Sequence, residues 1–314
     1  MKKKAIIISI KGLKLTNKEK LLLSKEKPWG LILFKRNIET LNQIKGLIQS
    51  IRKVTKDSKF PILIDEEGNN VSRLKKIIDH NISAKFFGEL YKLDSKVSIQ
   101  IYKSYLTNLC KTLKNIGINI NTIPVLDVLR THTNKVIGER SFSNNKTIVQ
   151  KLGKITVEHC NIYKIATVAK HIPGHGSAIS DSHYTTPRVN LDQGKLKNTD
   201  FHPFKYNPAQ FAMTAHILYT KIDKKNVATI SKKIIYKIIR KKIGFKGILI
   251  SDDISMKALK YDLVTNAIKS LEAGCNLVLY CAGNIDENFK LIKSVPFIDK
   301  FTLKKTSEFY KFLG

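Results

Sequence analysis

Cysteine is scarce in this 314-residue chain, which has four cysteines and no C-x-x-C pair. Cys110, Cys160, Cys275 and Cys281 each lie among apolar neighbours, which is typical of buried free thiols and favours a reducing compartment, the cytoplasm. The composition excludes a small disulfide scaffold, although four cysteines can in principle pair. No apolar run reaches about 18 residues, so we expect no membrane span. The apolar run Ala5–Ile10, behind the N-terminal lysines, is too short for a signal peptide and predicts a first β-strand.

Acidic residues are also few: 25 Asp and Glu stand against 56 Lys and Arg, which gives a formal net charge of +31. Such a balance is typical of nucleic-acid or anionic-membrane binding. Arginine is the better partner for phosphates and base edges, yet only seven of the 56 basic residues are arginine and the other 49 are lysine. The lysines are scattered rather than clustered. We interpret the charge as a solvated lysine surface, expect no specific nucleic-acid partner, and keep a basic nucleic-acid-binding protein as the alternative from another class.

Short apolar runs recur along the chain and alternate with helical patterns. The runs are Ala5–Ile10, Gly30–Phe34, Pro61–Asp65, Ile118–Val128, Ala166–His171, Phe211–Ile217, Gly247–Ile254 and Asn276–Ala282. Most are rich in Ile, Val and Leu without polar alternation, as in parallel strands buried on both faces. Eight strand–helix repeats predict an α/β fold, a (β/α)8 TIM-type barrel that forms a single domain over residues 1–314. A doubly wound sheet is the structural alternative.

Two of the helical patterns are clear. After Asn37, a predicted N-cap, apolar residues between Leu41 and Ile51 recur at helix spacing. After Ser231, four isoleucines between positions 234 and 239 form a second apolar stripe, with lysines on the opposite side.

Ionisable residues stand where the apolar runs end. They are Asp65, Asp127, Lys170, His171, His216, Asp252 and Asp253. Because the carboxyl ends of all strands of a parallel barrel face one rim, we expect these side chains to meet there and form an active site. A salt bridge or a helix cap explains any one of them, but explains the whole set poorly.

The segment 170–176, KHIPGHG, is followed by Asp181, Ser182 and His183. Its proline and glycines prevent a continuing helix, so its two histidines are not the one-faced pair of a zinc-protease helix. A loop after the strand brings Asp181 against His183, the arrangement that a general acid/base needs. Two alternatives remain: a metal site with the ligands His171, His175, Asp181 and His183, and a purely structural role for the segment.

The second centre is the segment 247–256, GILISDDISM. Asp252 is predicted at a strand tip, where a carboxylate can attack the anomeric carbon of a sugar and form a covalent ester. The segment alone favours a plainer interpretation, in which Asp252 and Asp253 both serve as helix caps.

Several motifs together resemble glycoside hydrolase family 3, and in particular its β-N-acetylhexosaminidases. They are KHIPGHG (170–176), DSHYTTP (181–187), SDDISM (251–256), GLILFKRN (30–37), IDEEGNNVSR (64–73), PVLDV (124–128), GERSFS (138–143) and MTAHILY (213–219). They occur in the family's order and span nearly the whole chain. More narrowly, the chain resembles the single-domain bacterial members that act in peptidoglycan recycling.

The resemblance implies a role for each matching position. Asp252 is similar to the catalytic nucleophile, His183 to the acid/base and Asp181 to its dyad partner. The substrate-binding positions are Asp65, Arg73, Arg140, Lys170 and His171, and the further motif residues are His216 and Asp127. One departure is that Asn69-Asn70 replaces the family's usual two glycines, which changes the conformations open to the loop that carries Arg73. Of the roles that the resemblance implies, that of Arg73 therefore has the least support.

The reaction implied is retaining hydrolysis of a terminal, non-reducing β-linked N-acetylglucosamine. The substrate implied is N-acetylglucosaminyl-1,6-anhydro-N-acetylmuramic acid, with or without its peptide. We expect a cytoplasmic monomer with no metal, no organic cofactor and no membrane partner. Two related possibilities stay open: a phosphorylase that uses phosphate as the acceptor, and a protein that binds glycan without cleaving it.

Overall fold

The computed structural model describes residues 2–78, 81–182 and 184–314, and its centre is a closed barrel of eight parallel strands. The strands are β1 (Lys4–Ile8), β2 (Pro28–Leu33), β3 (Ile62–Ile64), β4 (Ile120–Asn121), β5 (Ala166–Ile172), β6 (Phe211–Thr214), β7 (Ile248–Asp253) and β8 (Leu277–Leu279). Each strand pairs with the next in chain order, and β8 closes the barrel against β1. The predicted (β/α)8 barrel is confirmed, and the doubly wound sheet is wrong because that sheet is open.

Helices surround the barrel in the described ranges. They are α1 (Asn17–Lys25), α2 (Leu41–Thr55), α3 (Ala84–Leu93), α4 (Ser95–Ile116), α5 (Lys146–Ile162), α6 (Gln193–Lys197), α7 (Leu263–Ala273), α8 (Ile285–Ser294), α9 (Lys300–Leu313) and a π-helix (Ile234–Ile243). Two short parallel strands, Arg188–Val189 and Leu218–Tyr219, pair outside the barrel. None of the helices described is both long enough and apolar enough to cross a membrane.

The start of α2 differs from the prediction. Thr40, rather than Asn37, is the N-cap, and its hydroxyl accepts a hydrogen bond from the Gln43 amide. Asn37 is buried instead, and its side-chain amide donates to the carbonyls of Ile10 and Gly12 at 3.1 and 3.0 Å. A polar residue ahead of an apolar stripe therefore served here to fasten a loop rather than to begin a helix.

An aromatic cluster closes the amino-terminal end of the barrel. Trp29 and Phe211, near the starts of β2 and β6, meet edge to face with ring centroids 5.6 Å apart. Phe309 of α9 packs against the Phe211 ring at 5.4 Å, and the Trp29 indole donates to the Thr306 hydroxyl at 2.9 Å. The last helix thus plugs this end, which we call the base, and leaves the carboxyl-terminal rim for polar groups.

Replacing this plug should destabilise the fold. Phe309 is 1% exposed, so we expect Phe309→Ala to lower the free energy of unfolding by about 3–5 kcal/mol. Phe301→Ala in the same helix is the matched control, and it should cost less than about 1.5 kcal/mol because Phe301 is 41% exposed. Urea denaturation of the two variants measures the difference, and equal losses would contradict the role given to Phe309.

Candidate active site

A cavity of about 380 Å³ opens at the carboxyl-terminal rim of the barrel. Six of the predicted catalytic and substrate-binding residues line it: Asp65, Arg73, Arg140, Lys170, His171 and Asp252. They come from β5, β7 and the segments that follow β3 and β4, so the strand ends converge as a parallel barrel requires. The volume lies in the range of a small-molecule site.

Lys170 is the polar centre of the cavity floor. It lies on β5, is 2% exposed, and its ammonium group contacts Asp65 Oδ1 at 3.1 Å and Glu67 Oε1 at 2.6 Å. The Thr122 hydroxyl accepts a third hydrogen bond from Nζ at 2.8 Å and itself donates to Asp65. One buried cation therefore holds two carboxylates, because a charge in this position is stable only when it is paired and hydrogen-bonded.

The loop after β3 brings Arg73 back to Asp65. Arg73 Nη2 donates to Asp65 Oδ2 at 3.1 Å. Asn69 takes the left-handed backbone, with φ of 44°, which asparagine tolerates better than most residues. The two asparagines therefore still allow a loop that places Arg73 at the cavity. Burial acts to raise the pKa of Asp65, but Lys170 and Arg73 outweigh it and hold that pKa well below its ordinary value.

Glu67 joins Lys170 to Arg140. Arg140 donates from Nε and Nη2 to the two oxygens of Glu67, at 2.7 and 2.9 Å, in a bidentate pair. Burial acts to raise the pKa of Glu67, yet Arg140 and Lys170 lower it to about 2. Burial acts in the opposite sense on Arg140, and the Glu67 carboxylate keeps the pKa of Arg140 above its ordinary value. Both partners thus stay charged across the physiological range.

His171 is fixed by groups on both sides of its ring. Nδ1 lies 2.7 Å from Oδ2 of the fully buried Asp127, and Nε2 lies 3.5 Å from Arg140 Nη2. The Asp127 carboxylate also accepts from the backbone amides of His171 and His175, at 3.3 and 2.6 Å. Asp127 therefore lies behind the cavity and orients the imidazole, with Nδ1 as the donor and Nε2 as the nitrogen facing Arg140.

These contacts bear on the metal-site alternative. The engaged ring nitrogens of His171 leave it poorly suited as a ligand. Within residues 2–78, 81–182 and 184–314, no three His, Cys, Asp or Glu side chains come together in a way that suits a metal ion. His183, the remaining histidine of that alternative, lies outside the described residues.

Asp252 presents a carboxylate to the cavity from the end of β7. Its Oδ1 accepts from the Asp253 amide at 2.8 Å. Burial acts to raise the pKa of Asp252, but attraction to His216 and His171, this hydrogen bond and Lys170 hold the pKa below its ordinary value. Asp252 is therefore ionised, as an attacking carboxylate must be.

His216 lies beneath this carboxylate rather than in the cavity. It is fully buried; Nε2 lies 2.9 Å from the Asp253 carbonyl oxygen and Nδ1 lies 2.7 Å from the Thr229 hydroxyl. The ring therefore fixes the backbone next to Asp252 and does not reach the cavity wall. Its contribution to the site is to support the backbone at Asp253.

Asp253 turns away from Asp252. Its carboxylate accepts from the amide and hydroxyl of Ser255, at 3.1 and 2.7 Å, and burial raises its pKa. The helix that follows, α7, is capped by Asp262. The plainer interpretation of Asp252 and Asp253 as helix caps is therefore wrong.

The loop after β5 returns toward the segment that follows Asp252. The Asp181 carbonyl accepts from the amides of Tyr184 and Thr185, at 3.2 and 3.0 Å, in a tight turn. Ser182 lines the cavity, and its carbonyl accepts from the Ala258 amide at 3.2 Å. His183, the predicted acid/base, lies outside the described residues.

Several lining residues were missed in the sequence. They are Glu67, Ser182, Met213, Met256, Leu279 and Cys281, whereas His175 had been named only as a candidate metal ligand. Glu67 carried a usable signal, because an acidic residue two positions after Asp65 lies on the same strand-end loop. The apolar members carried none, since Met and Leu at strand ends usually belong to the core.

A parallel barrel whose rim holds paired carboxylates and cations around a small polar cavity is typical of an enzyme of the (β/α)8 class. The chain belongs to glycosyl hydrolase family 3: the model of that family's N-terminal domain matches residues 2–303. It is thus a glycoside hydrolase, and the resemblance seen in the motifs is confirmed.

The relatives agree with this assignment. The β-hexosaminidase of Actinobacillus succinogenes is 32% identical over 302 residues, which cover 93% of this chain and 86% of that protein. The β-hexosaminidase of Haemophilus ducreyi is 33% identical over 283 residues, covering 88% and 80%.

Solved structures show the same fold. NagZ from Neisseria gonorrhoeae, crystallised with N-trifluoroacetyl-D-glucosamine, matches with a TM-score of 0.90 and 27% identity over 98% of this chain and 90% of that one. A family 3 β-N-acetylglucosaminidase from Paenibacillus sp. str. FPU-7 has a TM-score of 0.87 at 23% identity; the match covers 98% of this chain, which spans 60% of that protein.

The buried Glu67 should make stability depend on pH. Its pKa falls from 4.5 to about 2 on folding, so its stabilising contribution is complete above pH 4.5 and is lost as the pH falls from 4.5 toward 2. Glu67→Gln should lower the free energy of unfolding at neutral pH by about 3–5 kcal/mol, because Arg140 and Lys170 lose a partner. The deficit relative to the wild type should shrink below pH 4.5.

Denaturant titrations across this pH range measure the effect. Glu158→Gln, at an exposed position on α5, is the control and should follow the wild-type curve. A constant offset between Glu67→Gln and the wild type at all pH values would contradict the assigned shift.

Proposed function

We propose that the protein is a retaining exo-β-N-acetylglucosaminidase that removes terminal, non-reducing N-acetylglucosamine. The observation that carries the proposal is Asp252, an ionised carboxylate that faces the cavity from a barrel strand. Its Oδ1 is held by the Asp253 amide, and the described residues offer no hydrogen bond to Oδ2, which is therefore the oxygen available for attack. The β-hexosaminidase names of the relatives support the choice of sugar.

In the first half of the proposed reaction, Asp252 Oδ2 attacks the anomeric carbon. The bond from that carbon to the leaving oxygen breaks, and His183 gives the leaving oxygen its proton. In the second half, His183 takes a proton from water, the water oxygen bonds to the anomeric carbon, and the ester to Asp252 breaks. Two inversions at one carbon return a β-sugar, and the nucleophile and the acid/base end as they began.

The cavity floor supplies the groups that would hold the sugar. We assign substrate binding to Asp65, Arg73, Arg140, Lys170 and His171, whose charged groups form strong hydrogen bonds with hydroxyls and an amide. Because these groups already bind one another, they are fixed in position before substrate arrives, and little reorganisation is needed.

The acid/base pair is assigned from the motif that contains Asp181 and His183. Support from the structure comes from the neighbouring residues: Ser182 and Thr186 both hydrogen-bond to Ala258, six residues after Asp252. An imidazole suits this role because its ordinary pKa, about 6.5, lies near neutral pH.

We further propose that the natural substrates are peptidoglycan fragments, N-acetylglucosaminyl-1,6-anhydro-N-acetylmuramic acid with or without its peptide. Their carboxylates suit a chain of net charge +31, which would attract them toward the rim. A cytoplasmic location accords with the free thiols of Cys110, Cys160, Cys275 and Cys281. We propose that the protein acts as a monomer.

Removal of the nucleophile should abolish turnover. We expect Asp252→Asn to lower kcat on an aryl N-acetylglucosaminide by about 10³-fold or more, whereas Asp286→Asn at an exposed position should leave it unchanged. A slow fluorinated N-acetylglucosaminide should leave a mass adduct on the Asp252 peptide of the wild type. An active Asp252→Asn variant, or an adduct on another residue, would refute the assignment; sugar phosphate formed with added phosphate would identify a phosphorylase instead.

Removal of the acid should depend on the leaving group. The ratio kcat/KM reports the steps up to cleavage of the glycosidic bond, so His183→Ala should lower it by about 10²-fold or more for a disaccharide. For an activated nitrophenyl glycoside, which departs without a proton, the loss should be less than about tenfold. Equal losses on both substrates would exclude acid catalysis by His183.

A further inference from the structure

Another buried carboxylate, Asp200, lies close to the start of the loop that leaves β5. Asp200 is fully buried and does not line the cavity. Its Oδ1 accepts from the Ser177 amide at 2.9 Å, and its Oδ2 accepts from the hydroxyls of Ser177 and Thr199 at 2.7 and 2.9 Å. Both oxygens therefore hold Ser177, four residues before Asp181.

The backbone just before Ser177 packs closely against neighbouring segments. A Cβ added to Gly174 would lie 2.7 Å from the Asp200 Cβ, and one added to Gly176 would lie 1.9 Å from the Val128 carbonyl oxygen. The Gly174 carbonyl also accepts from the Tyr219 hydroxyl at 2.5 Å. The glycines of KHIPGHG thus let the chain pack against Asp200 and the loop after β4.

That loop after β4 is fastened to the same place. The Thr133 hydroxyl donates to the Gly176 carbonyl at 2.5 Å and accepts from the Arg130 amide at 2.6 Å. The Arg130 guanidinium lies 3.6 Å from Asp200 Oδ2. Since the same loop continues to Arg140 at the cavity, Asp200 joins the two rim loops that flank the proposed sugar site.

Burying a carboxylate costs more free energy than burying an apolar side chain of the same size. Desolvation disfavours its charged form, and burial raises the pKa of Asp200 despite the hydrogen bonds from Ser177 and Thr199 and the charge of Arg130. An apolar residue could fill the volume but could not accept from the amide and hydroxyl of Ser177. The structure therefore favours a specific task for Asp200 at the start of this loop rather than general packing.

We propose that Asp200 is a positioning residue for the reaction: by binding Ser177 through both oxygens, it fixes the start of the loop that carries Asp181. The inference rests on the proposed function, because it assigns the effect to the acid half of the proposed mechanism. Asp200 touches no reacting atom and acts through the loop alone.

Two variants test the proposal. Asp200→Asn keeps the shape but replaces the oxygen that accepts from the Ser177 hydroxyl, and Ser177→Ala removes that hydroxyl. For a disaccharide, each should lower kcat/KM by roughly 10- to 100-fold, while for an activated nitrophenyl glycoside the loss should stay below about threefold. The double variant should be no less active than the less active of the two single variants, because both substitutions remove the same hydrogen bond. Ser177→Thr keeps the hydroxyl and should restore most of the activity.

Asp192→Asn is the matched control. Asp192 precedes Asp200 in the chain and caps α6 through the Lys195 amide, and within the described residues its carboxylate makes no hydrogen bond to the Ser177 loop. It should leave both kcat/KM values unchanged. If Asp200→Asn does not fold, Ser177→Ala and its threonine counterpart carry the test alone.

Hydrogen exchange gives a readout that does not need activity. Amides of residues 178–186 should exchange at least about tenfold faster in Ser177→Ala than in the wild type, and Asp192→Asn should not change them. Equal losses on both substrates, or unchanged exchange in this segment, would overturn the positioning role while the wild type remained a glycosidase. A wild type without glycosidase activity would refute the proposed function instead.

Discussion

The ammonium group of Lys170 is the interaction on which the site depends. It is one of two lysine side chains, with Lys3, that are buried in the described part of a chain otherwise coated with lysine. Its three partners, Asp65, Glu67 and Thr122, follow directly on β3 and β4. Without this cation, Asp65 and Glu67 would each keep one arginine partner, Arg73 and Arg140, and the pKa of both carboxyl groups would rise. Lys170 on β5 therefore helps to keep both carboxylates of the cavity floor ionised.

Most of the fold could be predicted from the sequence, because the barrel strands are buried on both faces and have few polar interruptions. Each of the eight apolar runs overlaps a barrel strand. The run Ile118–Val128 shows the limit, since the strand itself is only Ile120–Asn121. The chain stays buried beyond Asn121 but leaves the regular ladder there, and only an isolated bridge between Val125 and Lys170 pairs it with β5 again. An apolar run therefore predicts which residues are buried, but only some of those residues belong to a strand.

The candidate site was less accessible from sequence. Strand-end positions identified Asp65, Lys170, His171 and Asp252, because barrel geometry sends them to one rim. The partners of these residues follow from side-chain packing between distant segments, which no local pattern encodes. Glu67 meets Arg140 across 73 positions, and Thr229, in a short 3-10 helix, meets His216 across 13 positions. Asp200 carried no signal at all, since a single aspartate in a polar segment is usually exposed.

The aromatic plug at the base has a consequence for how this enzyme can change over time. Trp29, Phe211 and Phe309 secure one end of the molecule, whereas the cavity to which substrate binding is assigned opens at the other, between strand ends and the loops that follow them. The residues that stabilise the fold and the residues that would select the substrate thus lie at opposite ends of the same strands. Substitutions in the rim loops can therefore change which substrates enter the cavity without destabilising the aromatic plug at the base. This holds as long as the charged residues of the cavity floor are unchanged.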